Sequence, residues 1–211
     1  MTFRRYTQLK QVPSDSPQWA FDCVNGLKKK TVKNFNGCSY EEFEQYYEKT
    51  VSEKIPNRYE VLRAGLPVKL FFDMELDIDG NCFKNEEVLF SRTLELIRNF
   101  LIYHKLGDVD TMVILDGSRN GKFSRHVVFD NIILANTDHV NHLVQELLPR
   151  FVAINKLGRY PESMFKDNNL PKLIDKSVYT KNRFMRMIYS SKYGSNVPLR
   201  WMNDDGTFEN S

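Results

Sequence analysis

Residues 69–80 read KLFFDMELDIDG, an apolar run that ends in a burst of negative charge. Its first half has the aromatic, apolar character of a buried strand, yet Asp73 and Glu75 interrupt it one residue apart. On a strand the side-chain period is two, so Asp73 and Glu75 leave from one face while Phe72, Met74 and Leu76 leave from the other. Two carboxylates on one face repel unless a cation or a proton compensates, and a hard divalent metal with oxygen ligands is the most economical compensation. A D-x-E by itself more often forms salt bridges on a solvated sheet face, so neighbouring segments must decide. From Glu75 onward, ELDIDGNCFKNE also approaches a calcium-binding EF-hand loop in its acidic spacing, its central Gly80 and its final Glu86. It is a poor one: Glu replaces the first Asp, Phe83 takes a polar position, and Gly65 and Pro67 leave no room for an incoming helix. Asp77, Asp79 and Gly80 are expected instead to form the turn that leaves the strand.

Working outward, RYEVLR and VKLFFDMEL are short segments rich in β-branched and aromatic residues, separated by Gly65 and Pro67, and predict two strands joined by a turn. Upstream, Ser39 stands three residues before Glu42, the spacing of a capping box, and Phe43, Tyr46, Tyr47 and Val51 follow at helical intervals. That helix carries an aromatic face, read as core packing rather than base stacking. Downstream, NEEVLFSRTLELIRNFLIYHKL is strongly periodic and predicts a second helix. DTMVIL, DGSRNG and KFSRHVVF then read as strand, turn and strand, a hairpin. TDHVNHLVQELLPRFVAINKL predicts a helix kinked or ended near Pro149, and FMRMIYSS a last strand. The mixture predicts an α+β fold with antiparallel pairs and helices packed on them.

At 211 residues the chain is long enough to bury a substantial core without disulfide staples. Cys23, Cys38 and Cys82 are an odd set with no CxxC pair, so neither a zinc knuckle nor a bridge framework is expected, and a reducing compartment is the default. The N-terminal MTFRRYTQLKQ lacks the apolar core of a signal peptide, and no apolar run is long enough to span a membrane, so an intracellular, soluble protein is expected. The formal net charge of +3 is too small to argue for nucleic acid; local charge must do that.

Two further segments supply it. In KFSRHVVF, Lys122, Ser124 and His126 fall on one face of a strand, lining up an ammonium, a hydroxyl and an imidazole as donors suited to a phosphate chain. The preceding DGSRNGK resembles a Walker A loop only superficially, because its glycines are too close together and Phe123 stands where Ser or Thr belongs. In IDKSVYTKNRFMRMIYSSKYG, Asp175 precedes Lys176, Lys181, Arg183, Arg186 and Lys192, interleaved with Tyr179, Phe184, Tyr189 and Tyr193. Bases mixed with aromatics at this density suit phosphate neutralisation with base stacking, although a charge run is usually a solvated face and Asp175 could serve only as a salt-bridge partner.

Taken in order, FFDME, KFSRH and IDKSVYTKNRFMRMIYSSK resemble the three motifs of the archaeo-eukaryotic primase superfamily, specifically its primase-polymerase branch. YEEFEQYY and NRYEVL resemble the region before the first motif, so the likeness runs from about residue 40 to about residue 195. The resemblance implies the archaeo-eukaryotic primase fold, an N-terminal α/β module (about 1–105) and an RRM-like module (about 106–211) with the site in the cleft between them. It implies metal-binding catalytic carboxylates at Asp73, Glu75 and Asp175 around two Mg2+ or Mn2+ ions. Triphosphate contacts fall on Lys122, Ser124, His126 and Lys192, with Arg183 and Arg186 as further nucleotide or template contacts. The implied activity is template-directed nucleotidyl transfer, as DNA primase or DNA polymerase, in replication or in damage tolerance such as translesion synthesis. The implied partners are a single-stranded DNA template, a primer strand, dNTP or NTP, and a helicase or single-strand-binding protein, with no membrane. Family members that start chains carry a zinc-binding Cys/His module after the core; no zinc-spaced cysteines follow the third motif here, which leaves primer initiation open. A metal-dependent nuclease, and a non-catalytic nucleic-acid or calcium-binding module, are the alternatives.

Overall fold

The computed structural model describes residues 5–6, 18–25, 30–53, 56–78, 86–156, 173–203 and 206–208. They form a mixed α+β structure whose paired strands are antiparallel. The chain divides into two compact units that interleave along the sequence: 1–63 with 182–200, and 64–181 with 201–211. Among the described residues no helix is long and apolar enough to cross a membrane.

The first unit is built on a five-stranded sheet in the order β1 (Arg5–Tyr6), β3 (Lys30–Gly37), β2 (Gln18–Asn25), β4 (Arg58–Leu62) and β8 (Arg183–Arg186). Ala20, Tyr59 and Val61 form its buried centre, with Phe184 packed against them. Helix α1 (Tyr40–Glu53) starts at the expected capping box: Glu42 N–H donates to Ser39 Oγ at 3.2 Å and Ser39 N–H donates to the Glu42 carboxylate at 3.0 Å. Its aromatic face is inward, with Tyr47 buried and stacked on Phe43 at 5.3 Å between ring centroids.

The second unit carries a four-stranded sheet, β5 (Val68–Asp77), β7 (Lys122–Leu134), β6 (Met112–Asp116) and β9 (Arg200–Met202), in that order. Helix α2 (Glu86–Tyr103) buries Leu89, Phe90, Leu94, Ile97, Phe100 and Leu101, the stripe its periodicity predicted. It meets the sheet through Phe90 on Phe123, while Phe72 meets Phe129 edge-on between β5 and β7. The expected hairpin is present. Arg119 and Lys122 exchange backbone hydrogen bonds of 2.9 Å across Asn120 and Gly121, with Gly121 at φ 77, a conformation open to glycine.

Three local features refine the expectations. The two expected strands and the turn between them are present as β4 and β5, and they belong to different sheets: β4 lies between β2 and β8, and β5 pairs with β7, so the Gly65–Pro67 link joins two sheets. Helix α3 (Thr137–Lys156) does not end at Pro149 but continues past it. Losing one backbone bond there is outweighed by burial of Leu147, Leu148 and Phe151 on either side. The final strand stops at Arg186, and Tyr189, at φ 58, lies in a turn. Asp77 ends β5, whereas Asp79, Gly80, Phe83 and most of the EF-hand-like stretch lie outside the described residues.

Candidate functional site

One face of the second unit's sheet gathers six of the nine predicted site residues. Across the β5–β7 ladder, Asp73 is the register partner of His126, Glu75 of Ser124 and Asp77 of Lys122. Directly opposed residues of an antiparallel pair project to the same face, so a column of carboxylates stands beside a column of donors. On the other flank of β5, Met74 forms a bridge with Ile174, and Asp175 N–H donates to the Asp73 carbonyl at 2.8 Å. That antiparallel bridge sets Asp175 opposite Asp73, giving three lanes: donors, Asp73 with Glu75, then Asp175.

The electrostatics of this face are specific. Lys122 Nζ donates to Glu75 Oε2 at 2.6 Å. His126 Nε2 lies 3.6 Å from Asp73 Oδ1, a distance for charge attraction more than for hydrogen bonding. Asp73, Ser124 and His126 are all buried, and Ser124 Oγ has no hydrogen-bond partner among the described residues. Asp175 caps the 3-10 helix Lys176–Tyr179, accepting from Ser177 N–H at 2.8 Å and from Ser177 Oγ at 2.9 Å. At the end of that short helix the buried Tyr179 hydroxyl donates to the Phe71 carbonyl at 3.1 Å. Burial pushes its phenol well above the usual range, and the charges of Asp73 and Asp175 push it in the same direction. Beside these groups lies an open depression of about 600 Å³ lined by Glu75, Asp77, Lys122, Asp175, Lys176 and Ser177.

The other three predicted residues belong to the first unit. Arg183 and Arg186 lie on β8 opposite Leu62 and Tyr59, and their odd spacing sends them to opposite faces of the strand. Lys192 follows Ser190 and Ser191, which are both buried. Ser190 Oγ lies 2.9 Å from the Tyr47 hydroxyl and accepts from Arg58 N–H at 3.2 Å, while Ser191 N–H donates to the Pro56 carbonyl at 2.8 Å. The S-S of S-S-K therefore anchors a loop to α1 and to the start of β4, and the Lys192 side chain is left exposed.

Two carboxylates on β5 and a third beside the Ile174 bridge have the donor chemistry of a hard divalent cation site. Among the described residues, however, no group of three His, Cys, Asp or Glu side chains is arranged to hold an ion. Glu75 is engaged with Lys122, and Asp175 with Ser177. The set fits such an ion in kind and in shared face, and needs these two carboxylates to exchange partners.

No protein-family model matches the chain. Among curated proteins, it is 26% identical over 192 residues to the DNA-directed primase/polymerase protein of Danio rerio, an alignment covering 75% of this chain and 36% of that protein. The protein of the same name from Mus musculus is 24% identical over 193 residues, covering 70% of this chain and 36% of its own length. The chain resembles the DNA-directed primase/polymerase proteins. A third, from Gallus gallus, is 27% identical over 114 residues, covering 52% of this chain and 20% of that protein. The likeness read from the three motifs is thus borne out, and the chain spans roughly a third of the length of the first two relatives.

Sequence reasoning missed Ser177, which holds Asp175, and named Lys176, which lines the depression, and Tyr179, whose phenol lies in the field of both aspartates, only as members of a basic and aromatic run. The Asp175-Lys176-Ser177 spacing was a usable signal, since an aspartate followed two residues later by serine is a common capping and turn pattern.

Proposed function

We propose that this chain is the nucleotidyltransferase core of a primase-polymerase with the archaeo-eukaryotic primase fold, adding nucleotides to a 3′-hydroxyl on a single-stranded DNA template. The observation that carries this reading is the β5–β7 register, which aligns Asp73 and Glu75 with His126 and Ser124, in a chain similar to DNA-directed primase/polymerase proteins. Phosphoryl transfer needs alignment and charge neutralisation more than covalent help. Asp73, Glu75 and Asp175 are the residues to hold Mg2+ or Mn2+, which when bound supplies positive charge for the α-phosphate and makes the 3′-hydroxyl easier to deprotonate.

The remaining steps belong to the protein's own side chains. Lys122 leaves Glu75 and takes up a triphosphate oxygen, exchanging one charge-assisted contact for another. Ser124 Oγ, buried and without a partner among the described residues, donates to the phosphate chain, and His126 offers a ring N–H beside it. His126 acts in this scheme as a phosphate donor rather than a general base. Arg183, Arg186 and Lys192 serve as further contacts to nucleotide or template.

The test is incubation of the purified chain with a labelled primer on a single-stranded template, and with an unprimed template, each with Mg2+ or Mn2+. The primer is expected to lengthen only when nucleotides are supplied, and short products on the unprimed template would add primer initiation. Shortening of the primer in the absence of nucleotides, with no extension in their presence, would replace the assignment with a nuclease.

A further inference from the structure

Strand β6 leaves its ladder with β7 one residue before the nucleotide-facing serine. The register ends at Asp116 opposite Arg125. The next rung would exchange two backbone bonds between Gly117 and Ser124. Only one forms: Gly117 N–H donates to the Ser124 carbonyl at 2.8 Å, while Ser124 N–H donates to Ser118 Oγ at 3.0 Å. The chain turns here because Asp116 Oδ1 accepts from Ser118 N–H at 3.0 Å, an Asx turn.

Ser118 is itself held from behind. Its hydroxyl donates to Asp116 Oδ2 at 3.0 Å, and the same oxygen accepts from Arg125 Nε at 3.0 Å. Arg125, buried on the face of β7 opposite Ser124, reaches Glu87 in the first turn of α2 through both terminal nitrogens, one at 2.7 Å. Its guanidinium carbon lies 4.5 Å from the Phe90 ring centre and 4.8 Å from that of Phe123. Asp116 and Arg125 are buried at the centre of this network, where a hydrogen-bonded ion pair is stiff, and it ends on the backbone of Ser124.

We propose that Ser118 is a positioning residue: its hydroxyl replaces the missing ladder acceptor and, backed by Asp116, Arg125 and Glu87, fixes where the Ser124 hydroxyl stands for the triphosphate. The role rests on the reading of β7 as the nucleotide grip. A small displacement of a substrate-contacting group is enough to change affinity severalfold or more. Ser118 lies in a half-exposed turn, so removing its hydroxyl leaves the hydrophobic core untouched.

The experiment compares wild type, Ser118→Ala and Ser118→Thr in steady-state primer extension, with template affinity and thermal midpoint measured alongside. Ser118→Ala is expected to raise the nucleotide KM roughly tenfold with kcat changed less than about twofold and template affinity unchanged. Ser118→Thr, which keeps the acceptor oxygen, is expected to restore KM. An unchanged KM in Ser118→Ala overturns the role, as does a Thr variant impaired as much as Ala. Binding of a non-hydrolysable nucleoside triphosphate, followed below the thermal midpoint of each variant, decides the same question if extension is slowed by instability. A wild-type chain that extends no primer would sink the underlying reading instead, a result distinct from an active wild type with an indifferent Ser118→Ala.

Discussion

At the scale of single residues, the candidate site is a balance of charges that can exchange partners. Asp73 is buried between His126 on the flanking strand β7 and Asp175 beside the Ile174 bridge, so the primase-polymerase reading makes it the least replaceable carboxylate. Asp73→Asn is nearly isosteric and keeps an oxygen acceptor, yet it removes the charge. It is expected to lower the nucleotide incorporation rate by about 100-fold or more while the circular dichroism spectrum stays that of the wild type. Extension at the wild-type rate would contradict the assignment. Lys122→Met tests the other half of the face. The variant keeps the aliphatic stem and loses the charge-assisted bond, worth about 1.5–3 kcal/mol to a phosphate. The expected result is a nucleotide KM raised at least about tenfold with a smaller change in kcat, measured by primer extension.

At the scale of elements, what could be foreseen follows how local the signal was. The α2 stripe and the capping box at Ser39 depend on neighbours three or four residues away, and both were legible. So was the facing of Asp73 and Glu75, which follows from the strand period alone. The approach of Asp175 to Asp73 was not, since it crosses a hundred residues of chain; the family likeness supplied it before the Met74–Ile174 bridge did. Separation of β4 and β5 into different sheets was equally hidden, because a strand's partner is a tertiary choice. Ser118 and Ser177 were overlooked because hydroxyls beside aspartates look like ordinary solvated turns. The Tyr47 anchor of α1 offers a test at this level. Its hydroxyl donates to the Ile188 carbonyl and lies 2.9 Å from Ser190 Oγ, and burial, the largest cause, pushes its phenol up to about 12. Below pH 10 the phenol is protonated whether the chain is folded or not, so this group adds no pH dependence. Between about pH 10 and 12 the unfolded chain ionises first and holds fewer protons, so folded stability falls as pH rises. Tyr47→Phe is expected to lose about 1–2 kcal/mol at neutral pH and to show a shallower decline through that alkaline window, read by urea unfolding at several pH values.

For the whole molecule, the decisive feature is that the two units are interleaved. Residues 64–181 form one unbroken stretch containing β5, α2, β6, β7 and α3, with the β5–β7–β6 ladder internal to it. That segment, expressed alone, is expected to unfold cooperatively in urea with a secondary-structure spectrum of mixed helix and strand. Residues 1–63 alone lack β8 and leave β4 as an open edge, so they are expected to be aggregation-prone or unfolded. A soluble, cooperatively folding 1–63 fragment, or an unstructured 64–181 fragment, would contradict this division.

The same interleaving orders events as the chain is made. A domain can complete its sheet only when its last strand has left the ribosome, and synthesis proceeds from the N-terminus. Strand β4 is made early, but its neighbour β8 follows only after all of residues 64–181 have been translated. Throughout that interval β4 presents an unpaired edge on a half-built sheet, the kind of surface that chaperones shield. The unit bearing Arg183, Arg186 and Lys192 is therefore started first yet closed only after 64–181 has been made, and a translational pause before residue 183 would lengthen the exposure of that edge.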